Sequence, residues 1–333
     1  MSVAEPGVWC SVHIHRYERQ DDLLTGAVAP LLAALRDQDA ISGHFFLRYW
    51  KGGHHVRLRL RARTRDTAPV LDAAVTALRG WCERFPAGGG FDVEAFRAAQ
   101  PTMAALEGEE PGEVQPPDTV RVARYEPEHA KYGGPAGVRA AETFFERSSD
   151  AVLRDLPALR ERSSRRLGAG FATMVRALAA AGLPPAGIAR FFADYCLLWS
   201  PYVFDAFLAT WPDLLAERSP VLHRHAAALL AAPGADPVGV AVRAALDAVE
   251  AAGPDVLAAV TLAGPDAPPQ RRRQVLLTSY LHTHNNRLGL IPQQEALLGF
   301  LGHHVLSAQA GIAPDAGLLS RLTRHRAARL AHA

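Results

Sequence analysis

The sequence predicts an α+β protein, with a small mixed part at its N-terminal end and a larger all-helical part after it. Alternating strand patterns recur through roughly the first third of the 333 residues. From about residue 137 onward, apolar residues recur at helical spacing and no segment alternates as a strand does. The hydrophobic fraction of 49% and the charged fraction of 21% are ordinary for globular proteins, which excludes disordered, collagen-like and coiled-coil chains.

The N-terminal elements follow one another as strand, helix, two strands, helix and, after a loop, a last strand. Residues 9–17 alternate as a half-buried strand, and acidic residues at 21–22 begin an amphipathic helix. The Lys51-Gly52-Gly53 turn joins two strand-like stretches as a hairpin, since glycine permits the positive φ of tight turns. This order predicts a ferredoxin-like βαββαβ antiparallel sheet, packed on the helical part. The predicted strands are 9–17, 43–50, 55–61 and 119–125; the second helix is 66–85 and the loop is 107–118.

The helical part is divided by proline and glycine pairs. We expect two domains, a ferredoxin-like part over residues 1–134 and a helical part over residues 135–333, joined as one compact body. The predicted helices are 137–155, 157–182, 185–210, 217–232, 236–252, 268–287, 292–310 and about 315–330.

Charge and composition narrow the classes of function. A net charge of +2 creates no overall attraction to nucleic acid or to a membrane surface. The first residues lack the basic and apolar regions of a signal peptide, and no apolar run reaches the roughly 20 residues that span a bilayer. The three cysteines lie far apart, which is typical of reduced thiols in a cytoplasmic protein. No nucleotide-binding or metal-binding motif occurs, so we expect no cofactor and no metal.

A strand with three arginines is the first candidate site. In residues 55–61 (HVRLRLR), side chains alternate across the strand, so Arg57, Arg59 and Arg61 share one face. Like charges about 7 Å apart repel, and such a face either lies in water or binds anions. Guanidinium groups bind carboxylates through two parallel hydrogen bonds, which suits an anion site. Arg48, on the preceding strand, is expected nearby across the hairpin.

The second candidate is the stretch from residue 125 to 135 (YEPEHAKYGGP). It leads from a strand through a loop into a helix, and it includes Lys131 and Tyr132. Loops at such junctions often carry function, yet Gly-Gly-Pro is equally common as structural punctuation. Both interpretations stay open.

The third candidate is the end of a helix, residues 279–289 (SYLHTHNNRLG). His282 and Asn286 stack at i,i+4, whereas His282 and His284 are two residues apart and diverge. A metal site is therefore disfavoured. Proton transfer is a better hypothesis for His282, because the ordinary pKa of histidine, near 6.5, suits that task.

The three stretches together resemble the C-terminal elimination domain of class I lantibiotic dehydratases, which also occurs free-standing in thiopeptide biosynthesis. The resemblance runs from Trp9 to about Gly311 and rests on FFLRYW with HHVRLRLR, YEPEHAKYGG with AETFFERSSDAVL, and SYLHTHNNRLG. It implies a lyase. A partner esterifies Ser or Thr of a ribosomal precursor peptide with glutamate from glutamyl-tRNA, and the elimination domain expels that glutamate to leave dehydroalanine or dehydrobutyrine. We expect this chain to be the stand-alone elimination component of a split dehydratase.

The resemblance also implies roles for particular residues. Arg57 and Arg59 match the family's paired arginines, which act on the glutamyl group, and His282 matches the histidine to which proton transfer is assigned. Lys131 stands where the family has arginine before Tyr-Gly-Gly; lysine keeps the charge and loses the planar fork. His284 and Lys131 are alternatives to His282 as the base. The implied catalytic residues are Arg57, Arg59, His282 and Lys131, and the implied substrate-binding residues are Arg48, Tyr132, His284, Asn286 and Arg287.

Two other functions remain open at this point. Pyridine synthases of thiopeptide pathways resemble the same superfamily and join two dehydroalanines by a formal [4+2] cycloaddition, closing a macrocycle. Alternatively, the sheet edge binds a peptide as an extra strand and presents it to another catalyst, which needs no catalytic residues. The retained Arg57, Arg59 and Tyr132-Gly133-Gly134 favour elimination over cycloaddition.

Overall fold

The computed structural model describes residues 7–159, 163–231 and 236–331. The predicted α+β class is confirmed: a four-stranded antiparallel sheet lies near the N-terminus and the described residues that follow it are helical. The helices are α1 (Gln20–Leu23), continued through a π-helical segment (Leu24–Val28) into α2 (Ala29–Asp37), then α3 (Ala68–Arg84), α4 (Val93–Glu107), α5 (His129–Tyr132), α6 (Gly134–Leu159), α7 (Ser163–Ala180), α8 (Pro185–Leu198), α9 (Asp205–Leu208), α10 (Trp211–Ala231), α11 (Pro237–Ala251), α12 (Pro254–Ala258), α13 (Pro269–Leu288), α14 (Pro292–Gln309) and α15 (Leu318–Leu330).

The sheet has the strand order β2-β3-β1-β4, and every neighbouring pair is antiparallel. Its strands are β1 (Val8–His15), β2 (Ile41–Tyr49), β3 (His55–Ala62) and β4 (Val120–Ala123). Val56, Leu58 and Leu60 on β3 have no exposed surface and belong to the apolar face of the sheet. The apolar stripes of α2 and α3 pack against the strands, so this face forms the core of the mixed part.

Several segments differ from the sequence prediction, among them α4, the region after α8 and the short helix α12. Helix α4 was not predicted; the Asp92 side chain caps its first turn by accepting from the Ala95 amide, and Gly108 ends it in a left-handed conformation. Pro101 lies inside α4 and weakens its pattern. The helix predicted over residues 185–210 is interrupted: α8 ends at Leu198, and a 3-10 turn (Ser200–Tyr202) and the short α9 follow.

Contacts divide the chain into two compact units. The sheet unit comprises Met1–Pro127 and Ser148–Arg160, and the helical unit comprises Glu128–Arg147 and Glu161–Ala333. Helix α6 contributes residues to both units. The domain boundary expected at residue 134 stays a prediction.

The helical unit is built around the pair α8 and α14. A Cβ at Gly299 of α14 would overlap the backbone of Cys196 on α8, so the small residue lets the two helices approach closely. Cys196, Ala296 and Phe300 are buried at this contact, together with Trp211 of α10. This packing brings the first turn of α14 beside the C-terminal half of α8. In the part of the chain that the structure describes, no helix is both long and apolar enough to cross a membrane.

Candidate active site

One face of the sheet carries the predicted arginines. Arg57, Arg59 and Arg61 alternate with buried aliphatic residues along β3, as the sequence pattern predicts. Across the ladder, Arg57 pairs with His13 of β1 and Arg59 pairs with Ser11, so these side chains share the face. The face is polar near its centre and aromatic along β2, where Phe45 pairs with Arg59.

Contacts with Tyr49 and His55 orient Arg57 on this face. Its guanidinium lies 3.3 Å from the centre of the Tyr49 ring, which is a close cation–π contact. Its Nε donates a hydrogen bond to Nε2 of His55, 3.1 Å away. The Tyr49 hydroxyl in turn donates to the Glu109 carboxylate at 3.1 Å. These contacts therefore give the guanidinium a defined orientation.

Arg59 is more deeply placed. The side chain is buried, and its guanidinium carbon lies 5.8 Å from the Phe45 ring centre and 5.6 Å from that of Tyr125. Arg61 is half-buried at the end of the strand, 5.2 Å from the Trp9 ring centre, and donates to Ser42. A buried guanidinium among aromatic rings interacts strongly with an incoming carboxylate, because little water screens the charge.

Three histidines lie on the same face. The His55 ring centre is 4.9 Å from that of His13 and 4.6 Å from that of His15. Burial is the main cause that lowers the pKa of His13 to about 2, of His55 to about 3 and of His15 to about 4, and neighbouring arginine charges contribute. All three imidazoles are therefore neutral at neutral pH.

Arg48 lies on the opposite face of the sheet. It pairs across the hairpin with Val56, which belongs to the apolar face. The Arg48 guanidinium donates to the carboxylate of Asp21 at 2.7 Å and to Gln20 at 3.4 Å, both on α1. The structure therefore does not bring Arg48 together with Arg57 and Arg59. The stretch GHFFLRYW does not alternate between apolar and polar residues, so its sequence does not show which sheet face Arg48 occupies. Only the pairing register shows it.

In the helical unit, His282 is paired with a carboxylate. Its Nδ1 lies 3.0 Å from Oε1 of Glu295, in the first turn of α14. The Glu295 side chain has no exposed surface, whereas about a quarter (26%) of the His282 side chain is exposed. The ring of Trp199 stacks on His282 with 4.3 Å between ring centres. Because a carboxylate accepts, Nδ1 carries a proton, and Nε2 is the nitrogen that takes or gives one.

Glu295 is itself held by a second donor. The Tyr195 hydroxyl of α8 donates to Oε2 of Glu295, and Asn285 donates to the Tyr195 oxygen at 3.3 Å. Burial, and next the charge of Glu295, raises the pKa of Tyr195 well above its ordinary value, so the phenol keeps its proton. Sequence reasoning missed Glu295 and Tyr195. An acidic residue in a predicted first turn was the available signal, but it ordinarily indicates only dipole stabilisation.

The other side of α13 carries a separate buried cluster. Tyr280, His284 and Arg287 recur there at helical spacing and are all buried. The Tyr132 ring lies 5.9 Å from the Tyr280 ring, and Arg287 lies 4.9 Å from the ring centre of Phe145. Burial, followed by the charge of Arg287, lowers the pKa of His284 to about 3. His284 is therefore neutral and on a different side of the helix from His282, as the spacing predicts.

The remaining predicted residues lie near α5 and α13. Lys131 is partly exposed; its Nζ lies 3.3 Å from the Glu128 carboxylate. Tyr132 is buried beside it on the same short helix. Asn286 is half-buried on α13, one turn after His282. Lys131 and Tyr132 belong to the same unit as His282, whereas Arg57 and Arg59 belong to the sheet unit.

Potential metal ligands are dispersed, and the cysteines are buried, in the part of the chain that the structure describes. Within them, no three His, Cys, Asp or Glu side chains are arranged to share a metal ion. Cys10, Cys82 and Cys196 are buried free thiols. Burial raises the pKa of Cys10 and Cys82 to about 11, which keeps them protonated and unreactive at neutral pH.

Comparison with known structures gives several similar folds. The pyridine synthase TbtD from thiomuracin biosynthesis superposes with a TM-score of 0.72 at 22% identity, over 92% of this chain and 99% of that one. TsrL superposes with a TM-score of 0.60 at 18% identity, over 95% and 99%. The tRNA-dependent lantibiotic dehydratase MibB from Microbispora sp. 107891 gives 0.50 at 24% identity, over 93% of this chain but 29% of MibB.

Family membership follows from the sequence model rather than from these superpositions, since identities below 25% show the fold alone. No curated protein matches the sequence. The family model described as lantibiotic biosynthesis dehydratase C-term matches residues 9–306, which is most of the chain. The chain therefore belongs to the lantibiotic biosynthesis dehydratase C-terminal family.

Proposed function

We propose that this protein is a lyase that eliminates glutamate from glutamylated Ser or Thr residues of a ribosomal precursor peptide. The observation that carries the proposal is the His282–Glu295 pair: a partly exposed imidazole whose Nδ1 is held by a fully buried carboxylate. Such an arrangement leaves Nε2 to transfer a proton, and elimination begins with removal of a weakly acidic Cα proton. The glutamyl ester then comes from a glutamyl-tRNA-dependent partner protein.

The reaction places charge at two points. As the Cα–H bond breaks, charge develops on the peptide carbonyl; as the Cβ–O bond breaks, it develops on the departing glutamate. His282 takes the Cα proton in this proposal, and Arg57 and Arg59 bind the carboxylate of the glutamyl group. The orientation of Arg57 between Tyr49 and His55, and the burial of Arg59, support that role, because preorganised cations stabilise developing negative charge.

Lys131, Tyr132, His284, Asn286 and Arg287 keep the roles implied by the family resemblance as proposals. The ion pair of Lys131 with Glu128 is partly exposed, so it restrains the ammonium only weakly. A proton-transfer role for His284 has less support than one for His282, since His284 is buried and lies on the other side of α13.

A [4+2] pyridine synthase is the second candidate. The observation that favours it is the aromatic character of the arginine-bearing sheet face, where the rings of Trp9, Phe45 and Tyr125 lie 5.0 to 6.0 Å apart. Flat rings suit a planar, neutral diene better than they suit a glutamate. A non-catalytic peptide-binding role is the third candidate.

We also propose that the sheet with α1, α2 and α3 is a ferredoxin-like unit. The β2-β3-β1-β4 order and the antiparallel pairing support it. In this interpretation α4 and the loop after it are an insertion before the last strand.

Mass spectrometry of a glutamylated Ser-containing precursor peptide tests the proposed function. Incubation with the purified protein alone is expected to release glutamate and leave dehydroalanine. If the ester survives, elimination is wrong, and a peptide bearing two dehydroalanines is tested next. Macrocycle formation with release of the leader peptide then identifies a pyridine synthase. If the protein binds both peptides and converts neither, the binding role is supported.

Two matched substitutions test the arginine assignment within this assay. Arg57→Lys keeps the charge and removes the planar fork, and it is expected to lower the elimination rate about 10²-fold. Arg48→Lys makes the same change on the opposite sheet face, and it is expected to lower the elimination rate by less than about threefold. Equal losses for both variants would contradict the assignment.

A further inference from the structure

The hydrogen bond between His55 and Arg57 has a fixed direction. Nδ1 of His55 lies 2.8 Å from the carbonyl oxygen of Gly53. A carbonyl oxygen only accepts, so Nδ1 carries the proton of the imidazole. Nε2 then presents its lone pair, and it accepts from Nε of Arg57 at 3.1 Å. One backbone carbonyl thus selects the tautomer that holds the arginine.

The hairpin turn supplies that carbonyl. Gly53 has φ of 99°, a conformation that side-chain-bearing residues rarely adopt. Its amide donates to the carbonyl oxygen of Trp50 at 3.0 Å, and this hydrogen bond closes the turn. A Cβ at Gly53 would also overlap the hydroxyl of Tyr17. The turn therefore fixes the direction of the Gly53 carbonyl with respect to His55.

His55 also remains neutral across the physiological range. Burial is the main cause that lowers its pKa to about 3, and the charge of Arg57 contributes. A protonated imidazole has no lone pair at Nε2 and would repel the guanidinium. The acceptor for Arg57 is therefore permanent under working conditions.

We propose that His55 is a positioning residue, whose neutral imidazole holds the Arg57 guanidinium on the Tyr49 ring and directs a carboxylate to its two Nη groups. The proposal rests on the proposed function, since it assigns Arg57 to the glutamyl carboxylate. With Nε bound to His55 and the guanidinium face on Tyr49, end-on contact through Nη1 and Nη2 is the geometry that the two contacts favour.

The geometry is tested without any substrate, by NMR of the arginine side chains in the full-length protein. The Nε–H resonance that disappears in Arg57→Lys is assigned to Arg57. Its exchange with water is expected to be at least tenfold slower than that of the exposed arginines. His55→Phe keeps a ring against His13 and His15 but removes the acceptor, and exchange is expected to reach the exposed rate. Slow exchange in His55→Phe would overturn the proposal.

Kinetics provide the second readout. His55→Phe is expected to lower kcat/KM for glutamate elimination about tenfold, and His55→Gln, whose side-chain oxygen can accept from Arg57, to recover most of that loss. His15→Phe is the matched control: His15 is equally buried and its ring centre lies 4.6 Å from that of His55, and an effect below about threefold is expected. Equal losses in all three variants would mean a packing role only.

The two tests separate the proposals. If the wild-type protein releases no glutamate, the proposed function fails, whereas the exchange measurement still decides whether His55 holds Arg57. If elimination occurs but His55→Phe has wild-type kinetics, the positioning role alone is wrong.

Discussion

At the residue scale, Glu295 is the feature that most constrains the chemistry of His282. It has no exposed surface, yet it accepts hydrogen bonds from both His282 and Tyr195. A buried carboxylate needs such donors, since burial without them costs several kcal/mol. Its place in the first turn of α14 adds the favourable field of the helix N-terminus. The pair therefore fixes the orientation and tautomer of the imidazole.

Removing the charge of Glu295 tests this arrangement. Glu295→Gln keeps the size of the side chain but no longer stabilises the imidazolium that forms when His282 takes a proton. We expect the elimination rate to fall about 10²-fold or more, with KM for the glutamylated peptide changed by less than about threefold. Steady-state kinetics with glutamate release as the readout measure both.

His282→Ala is the reference for that measurement. The double variant with Glu295→Gln is expected to be no slower than His282→Ala alone, since Glu295 acts through the histidine. Additive losses would show that Glu295 acts independently and would contradict the pairing.

At the scale of elements, the short helix α5 ends at a glycine that no other residue replaces easily. Gly133 has φ of 87°, and its amide donates to the His129 carbonyl at 3.0 Å. A Cβ at Gly133 would overlap the carbonyl oxygen of Val256. The glycine therefore allows α5, which carries Lys131 and Tyr132, to lie directly against α12.

The neighbouring glycine offers a matched comparison. Gly134 has φ of 73°, but a Cβ there meets nothing within 4 Å. We expect Gly133→Ala to lower the free energy of unfolding by at least about 2 kcal/mol and Gly134→Ala by about 1 kcal/mol. Urea denaturation followed by circular dichroism measures the difference. Equal effects would mean that the contact with Val256 does not form.

At the scale of the whole molecule, four buried neutral histidines couple stability to pH. The pKa values of His13, His55, His284 and His15 are lowered to about 2, 3, 3 and 4, below the ordinary 6.5. At a pH between each lowered pKa and 6.5, the unfolded chain binds more protons than the folded chain. Stability is therefore full above about pH 6.5 and is lost as the pH falls toward 4.

A pH series of thermal unfolding tests this linkage. The melting temperature is expected to fall as the pH is lowered from 7 to 4. His13→Phe is expected to reduce the slope of the free energy of unfolding against pH by up to about 1.4 kcal/mol per pH unit. His129→Gln, at an exposed position, is the control and is expected to keep the wild-type slope. A stability independent of pH over this range would contradict the neutral state of the four imidazoles.

The α+β class, the four strands and the shared face of Arg57, Arg59 and Arg61 follow from local sequence patterns, because strand alternation and helical spacing depend only on near neighbours. The separation of His282 from His284 follows in the same way. Helix α4 and the break after Leu198 were missed, since prolines within or beside a helix make its pattern ambiguous.

Other features depend on contacts between distant residues. Glu295 reaches His282 only because α14 follows α13 and packs closely on α8, which carries Tyr195. Arg48 lies away from Arg57 because of the hairpin register, which its own strand does not encode by alternation. Local periodicity thus determined which residues share a face, whereas tertiary packing and strand register decided which partner each charged or titratable group meets, because hydrogen bonds and desolvation act through space rather than along the chain.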